Sequence, residues 1–206
     1  SIQDVPVAVS AFGEEQLKDL QANNIDGLQG AVPNLNIVQG RGSANSVNAF
    51  IRGIGQPDAL QTFDPGVGLY VDDVYYSRIN GALFSLFDVQ QVEVLRGPQG
   101  TLYGKNSTGG AIKVTTKNPF DDTGGAVELT GGDHGRAEGR FYVSGQLSDT
   151  VAASFAGAWL TNDGFIRDRV SGKHYNDDDT RAVRGKIAFQ PTDEFRATLS
   201  IDHTKQ

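Results

Sequence analysis

Apolar and polar positions along this chain follow one rhythm up to about residue 118 and another after it. In the first stretch the pattern changes every few residues. Val5–Phe12 (VPVAVSAF) alternates and predicts a strand. Gly13–Asn23 carries acids in its first turn and leucines at 17 and 20, which predicts a helix. A second short helix is expected over Ile25–Ala31, ending ahead of Pro33, because the residue before a proline avoids the helical region. Short apolar runs follow at Asn36–Val38, Ala49–Ile51, Gly68–Val71, Val74–Tyr76, Val92–Leu95 and Ala111–Thr115, with glycine- and asparagine-rich loops between them. The expectation for residues 1–118 is a small α+β domain with much loop.

From residue 119 the period is two. Strands are predicted at Ala126–Gly131, Ala137–Gln146, Val151–Leu160, Thr180–Gln190 and Phe195–Thr204. In the last of these, Phe195, Ala197, Leu199 and Ile201 alternate with Arg196, Thr198, Ser200 and Asp202. The wall of a transmembrane β-barrel alternates in this way, apolar outward and polar inward, and so does a soluble antiparallel sandwich. The connections discriminate. Gln146–Thr150 and Pro191–Glu194 read as tight turns, whereas Thr161–Asp179 is a long polar loop. Short turns at one end and long loops at the other are the habit of outer-membrane barrels. Five strands cannot close such a barrel, so either the sequence stops inside its second part or residues 119–206 are no barrel.

Composition narrows the chemistry. The chain has 206 residues, no cysteine and no methionine. That excludes a disulfide framework, thiolate metal sites and a cysteine nucleophile. A chain that starts at Ser1 without methionine reads as a piece of a longer protein, with any signal peptide upstream. No run of 18 apolar residues is present, so no transmembrane helix is expected, a condition that leaves a β-barrel open. The net charge of −7 is shared by both parts, and no basic cluster points to nucleic acid. His134, His174 and His203 are scattered, and neither H-E-x-x-H nor G-x-S-x-G occurs. No catalytic residue, resident metal or cofactor is expected. Asp72–Asp73 invites a metal reading, but neighbours in a strand point to opposite faces, and a structural turn is the simpler account. His174 with Asp177–Asp179 could bind a divalent cation, and a solvated acidic loop is preferred.

One segment decides the matter. Leu95–Gly110 reads LRGPQGTLYGKNSTGG. It is no phosphate cradle: its glycine spacing misses G-x-x-x-x-G-K-[ST], and Asn106 follows Lys105 where a hydroxyl residue belongs. Nor is it a tether, because Leu95, Leu102, Tyr103, Ala111, Ile112 and Val114 are too apolar and too regularly placed. It reads as a rigid, glycine-jointed segment packed against its neighbours.

That segment resembles the end of the plug domain of TonB-dependent outer-membrane receptors. VPVAVSAFGEEQL, VPNLNI, IRGIG, GLYVDDVYYSR and VEVLRGPQGTLYG are similar to the family's motifs and follow in its order. The resemblance implies a plug over 1–118 and the first five strands of a large barrel over 119–206. It implies active uptake of a scarce substrate, a ferric siderophore first, with cobalamin, haem, glycans and aromatic compounds as other cargoes. It implies TonB, with ExbB and ExbD, as the energising partner and the outer membrane of a Gram-negative bacterium as the location, with membrane lipid around the barrel. The family's TonB-binding segment is expected upstream of Ser1. By the same resemblance Arg52 and Arg96 anchor the plug to carboxylates of the barrel, most of them beyond residue 206, with Glu93 a nearer candidate. Arg41, Ser43, Asn45, Gln56, Arg78, Ile79 and Asn80 would face substrate at the plug apex, next to Asp58, Gln61 and Phe63. A soluble periplasmic binding module with a sandwich tail is the rival reading.

Overall fold

The computed structural model of the chain describes residues 8–22, 24–39, 47–56, 64–76, 88–164, 166–172, 174–175 and 177–205. Residues 1–116 and 117–206 form two separate units. The first is organised by a mixed sheet of β1 (Ala8–Gly13), β5 (Val67–Val71), β6 (Val74–Tyr75), β7 (Val89–Arg96) and β8 (Gly110–Thr116). Their spatial order is β1-β7-β8-β5-β6, with β5 and β8 parallel and the other pairs antiparallel. A smaller sheet joins β2 (Leu35–Gln39), β3 (Val47–Ile51) and β4 (Ile54–Gly55).

Alternation in β7 and β8 sends Val92, Val94, Ile112 and Val114 to one face, all fully buried. Helix α1 (Glu14–Asp19) contributes Leu17 to that core, and a 3-10 turn (Ile25–Leu28) contributes Ile25 and Leu28. Each such side chain adds about 1.5–3 kcal/mol by leaving water. The helix is shorter than expected. Gln16 closes its start by accepting from the Gly13 N–H (3.1 Å), and the chain turns out of the helix at Gln21, with φ of 51°. The second predicted helix is a single 3-10 turn for a related reason: Asp26 and Gly27 are poor helix formers, and Pro33 follows.

The second unit is one open antiparallel sheet, ordered β15-β14-β11-β10-β9. Its strands are β9 (Gly124–Gly131), β10 (Ala137–Ser148), β11 (Val151–Asn162), β14 (Asp178–Thr192) and β15 (Phe195–Lys205). β10 and β14 outrun their predicted ends because register shifts at Gln146/Ser148 and Phe189/Thr192 carry pairing into the turns. The long loop holds a two-residue hairpin, β12 (Ile166–Arg167) with β13 (His174–Tyr175). Apart from the two pairs beyond those register shifts, Ser148 with Val151 and Thr192 with Phe195, each register pairs residues of like parity, so even positions share one face and odd positions the other. The odd face exposes Val127, Leu129, Val143, Phe155, Trp159, Ile187, Leu199 and Ile201. The even face buries Arg140, Tyr142, Ser144, Arg184 and Lys186. A soluble sandwich does the reverse. No helix among the described residues is long and apolar enough to cross a membrane.

Candidate functional site

Two of the predicted anchor residues come together. Arg52 sits in the two-residue turn between β3 and β4, where Arg52 and Gly53 both have positive φ (53° and 80°), the backbone of a type I′ hairpin. A Cβ placed on Gly97 would lie 3.5 Å from Arg52 Nη1, so the Arg52 guanidinium reaches the residue that follows Arg96. The Arg96 Nε–H is buried and donates to no acceptor among the described residues. Neither arginine forms an ion pair among the described residues.

Glu93 is not placed to pair with Arg96. Arg96 lies three residues along an extended strand and therefore on the other face. Glu93 instead stands opposite Lys113, whose Nζ donates to Asp73 at 2.8 Å. The Asp73 hydrogen bond, with the Glu93 charge as a lesser cause, raises the Lys113 pKa above its ordinary value. Asp72 and Asp73 occupy the β5–β6 turn rather than a strand, with φ of 48° and 66°. Asp72 accepts from the Thr116 N–H (2.8 Å) and hydroxyl (2.5 Å), which fastens the turn to the end of β8. Both aspartates therefore have structural duties.

The glycine-jointed segment is a closed loop. Arg96 pairs with Gly110, the Gly97 N–H donates to Gly109 O (3.0 Å), and the Gln99 N–H donates to Ser107 O (2.9 Å). Its short helical turn α2 (Gly100–Tyr103) packs under Tyr70, whose hydroxyl donates to Tyr103 O at 2.7 Å. Tyr70 lies 4.8 Å from Tyr103 and 5.4 Å from Tyr75, ring centre to ring centre. Burial pushes the Tyr70 hydroxyl pKa up. Asn106, at φ of 65°, donates its amide to Tyr75 Oη (2.7 Å) and Asp64 Oδ1 (3.1 Å). Sequence reading passed over Asn106; an asparagine among five glycines was its only signal.

Of the predicted apex residues, Gln56 is described and half-buried after β4. Gly55 before it has no room for a side chain, because a Cβ would strike Ala49 O and the Phe50 ring. Arg41, Ser43, Asn45, Asp58, Gln61, Phe63, Arg78, Ile79 and Asn80 lie outside the described residues. At the long-loop end, His174 and Asp177–Asp179 line an open concavity of about 550 Å³ with Trp159, Asp163 and Arg181. Among the described residues no three ligand-type side chains are grouped to hold a metal.

With this geometry in view, the comparisons with known proteins are specific. The profile of the TonB-dependent receptor plug domain matches residues 1–111. The pesticin receptor of Yersinia pestis is 35% identical over 143 residues, covering 69% of this chain and 21% of that protein. The vitamin B12 transporter of Vibrio vulnificus is 26% identical over 97% of this chain and 32% of its own length. Among solved structures, the ferric yersiniabactin uptake receptor of Yersinia pestis superposes with a TM-score of 0.77 at 30% identity, covering 96% of this chain and 32% of that one. The chain thus spans about a fifth to a third of the length of the relatives it matches.

Proposed function

The chain belongs to the family of the TonB-dependent receptor plug domain, and from that premise we propose that it forms the plug and the first wall strands of an outer-membrane importer. The observation that carries this reading is the join of the two units. A chain matching the plug profile runs straight into a sheet whose exposed face is apolar and whose other face is polar. Such a sheet suits lipid on its odd face and a polar lumen on its even face. The open sheet edges at β9 and β15 are then joined by further strands of the same barrel.

The cargo is a ferric siderophore. Similarity to the ferric yersiniabactin uptake receptor and to the ferrioxamine B receptor of Salmonella typhimurium supports that choice. The vitamin B12 transporter, which aligns across nearly the whole chain, makes cobalamin the second reading. Substrate would contact the apex residues Arg41, Ser43, Asn45, Gln56, Arg78, Ile79 and Asn80. A guanidinium such as that of Arg41 suits hydroxamate, catecholate or carboxylate oxygens. TonB, driven through ExbB and ExbD, would supply the energy by acting on the plug. Arg52 and Arg96 would hold the plug to carboxylates of the closed barrel, pairs specific in geometry yet exchangeable with water.

The test is uptake by cells that express the receptor or lack it. Iron-55 delivered as ferric yersiniabactin or ferrioxamine B should accumulate only in the expressing cells and only with TonB present. Uptake of cyanocobalamin instead would move the assignment to the second reading. Uptake of neither, with no rise in receptor abundance under iron chelation, would sink the siderophore reading. An Arg41→Ala receptor with unchanged affinity would withdraw that residue.

A further inference from the structure

Asn106 joins three parts of the first unit that are far apart in sequence. It sits in the closed loop that begins at Arg96. Its side-chain amide has two hydrogens, and both are used: one goes to Tyr75 Oη at 2.7 Å, the other to Asp64 Oδ1 at 3.1 Å. Its backbone is left-handed, which among side-chain-bearing residues favours asparagine. One residue type therefore meets both the backbone and the hydrogen-bonding requirement. Glycine would satisfy only the first, and glutamine only the second.

The two acceptors are placed at consequential points. Asp64 leads into β5, and Tyr75 ends β6. Asp64 follows residues 57–63, and Tyr75–Tyr76 precede Arg78–Asn80. Two further bonds brace the same spot: the Gly109 N–H donates to Gly66 O (2.8 Å), and the Tyr76 N–H donates to Leu69 O (2.9 Å). The Tyr75 ring is held from the other side by Tyr70, itself bonded to Tyr103 of the same loop.

We propose that Asn106 is a positioning residue, which fixes the chain on both sides of the β5–β6 hairpin against the loop that carries Arg96. The substrate-facing assignment of the neighbouring residues rests on the uptake reading; the bracing by Asn106 does not. In this role Asn106 sets the spacing between the ends of the apex connections and the arginine pair.

The experiment uses the full receptor in detergent micelles and two variants. Asn106→Gly keeps the left-handed backbone without cost and removes only the amide. Tyr75→Phe keeps the ring and removes one acceptor. Hydrogen exchange at the Tyr76 and Gly109 amides should quicken about tenfold in Asn106→Gly, as expected for loss of two part-exposed hydrogen bonds. Exchange at Val94 and Ile112, deep in the core, should stay within about twofold. Tyr75→Phe should give a smaller rise at the same two amides, and the double variant should add nothing to Asn106→Gly. For whichever probe the wild type retains, ferrioxamine B or cyanocobalamin, Asn106→Gly should weaken binding roughly fivefold at an unchanged melting temperature. Unchanged Tyr76 and Gly109 exchange overturns the proposal, as does an equal rise at Val94 and Ile112. Unchanged affinity with the exchange effect present overturns the link to substrate. Retention of neither probe by the wild type counts against the uptake reading, and the exchange result still decides the role of Asn106.

Discussion

Asp72 offers the sharpest test of how the plug sheet is fastened. Its carboxylate accepts two bonds from one residue, the Thr116 N–H at 2.8 Å and the Thr116 hydroxyl at 2.5 Å. Its backbone sits at φ of 48°, in a turn whose other residue, Asp73, is also left-handed. Two effects are thus combined in one side chain, and two substitutions separate them. Asp72→Gly removes the carboxylate and relieves the backbone; Asp72→Ala removes the carboxylate and adds about 1 kcal/mol of left-handed cost. A hydrogen bond to a charged group contributes about 1.5–3 kcal/mol. The Thr116 amide should therefore exchange roughly 10- to 100-fold faster in the glycine variant, and up to about fivefold faster again in the alanine variant. Amide exchange resolved at Thr116 in the intact receptor measures this directly. Protection at Ile112, four residues earlier and 1% exposed, should be unaffected in the glycine variant. If Thr116 exchange changes less than threefold in Asp72→Gly, the carboxylate is not what holds the end of β8.

Alkaline stability should report on the opposite face of the same sheet. The Lys113 and Tyr70 pKa values are both raised above the ordinary 10.5 and 10.0, Lys113 by its hydrogen bond to Asp73 and Tyr70 by burial. Both groups hold their protons more tightly folded than unfolded. Their contribution is fully present below the unfolded values and is lost as pH rises through the folded ones. Plug stability should be flat on their account from pH 7 to 9 and should decline above about pH 10; an alkaline slope unchanged in Tyr70→Phe/Lys113→Gln would refute the assignment. The two faces of the second sheet can be told apart in neighbouring residues. Leu199→Arg should cost about 2–4 kcal/mol in a bilayer and Ser200→Arg much less, because in the proposed orientation the exposed odd face meets lipid and the even face does not. Equal costs in a folding assay from urea into vesicles would reverse or abolish the proposed orientation.

Period-two alternation was legible because it is set locally: Phe195–Ile201 shows its two faces in seven residues, and the registers only align them. What the sequence hid was backbone handedness. A turn was the preferred reading of Asp72–Asp73, but the positive φ of Arg52 has no signal in its residue type, and the type I′ geometry of both turns emerges only with the flanking pairs Val71–Val74 and Ile51–Ile54. The placement of Glu93 near Arg96 went wrong for a simpler reason, since proximity along a strand ignores which face each side chain takes. Asn106 was unreadable because its partners are 31 and 42 residues away. The closed loop itself was readable, since Leu95, Tyr103 and Ala111 needed a core to pack into, and they pack near Tyr70.

The even face of the second sheet carries its own test, because its buried charges are tolerable only in a polar setting with partners. Arg140 has a side chain 2% exposed and is held by Glu138 at 2.6 Å and Glu128 at 2.8 Å. Glu138, 8% exposed, is shared with Arg136, which is 48% exposed. The pairs differ in what each deletion leaves behind. Removing Arg136 strands nothing, since Glu138 keeps Arg140, and an exposed pair contributes at most about 1 kcal/mol. Among the described residues, removing Glu138 leaves the buried guanidinium with Glu128 alone, whose side chain is 45% exposed, and the Arg140 Nε–H already has no acceptor there. That is the costly direction, approaching the 3–5 kcal/mol expected when a buried charge loses its counter-ion. Glu138→Gln should therefore lower stability by about 3 kcal/mol and Arg136→Gln by less than about 1. Replacing Arg140 and Glu138 together by methionine should recover much of the loss, because neither charge then remains to be solvated. Thermal unfolding of the receptor in detergent gives the order of the three variants. If Arg136→Gln proved as damaging as Glu138→Gln, water would have to reach both arginines equally, and the even face would not be the sheltered interior that the proposed importer requires.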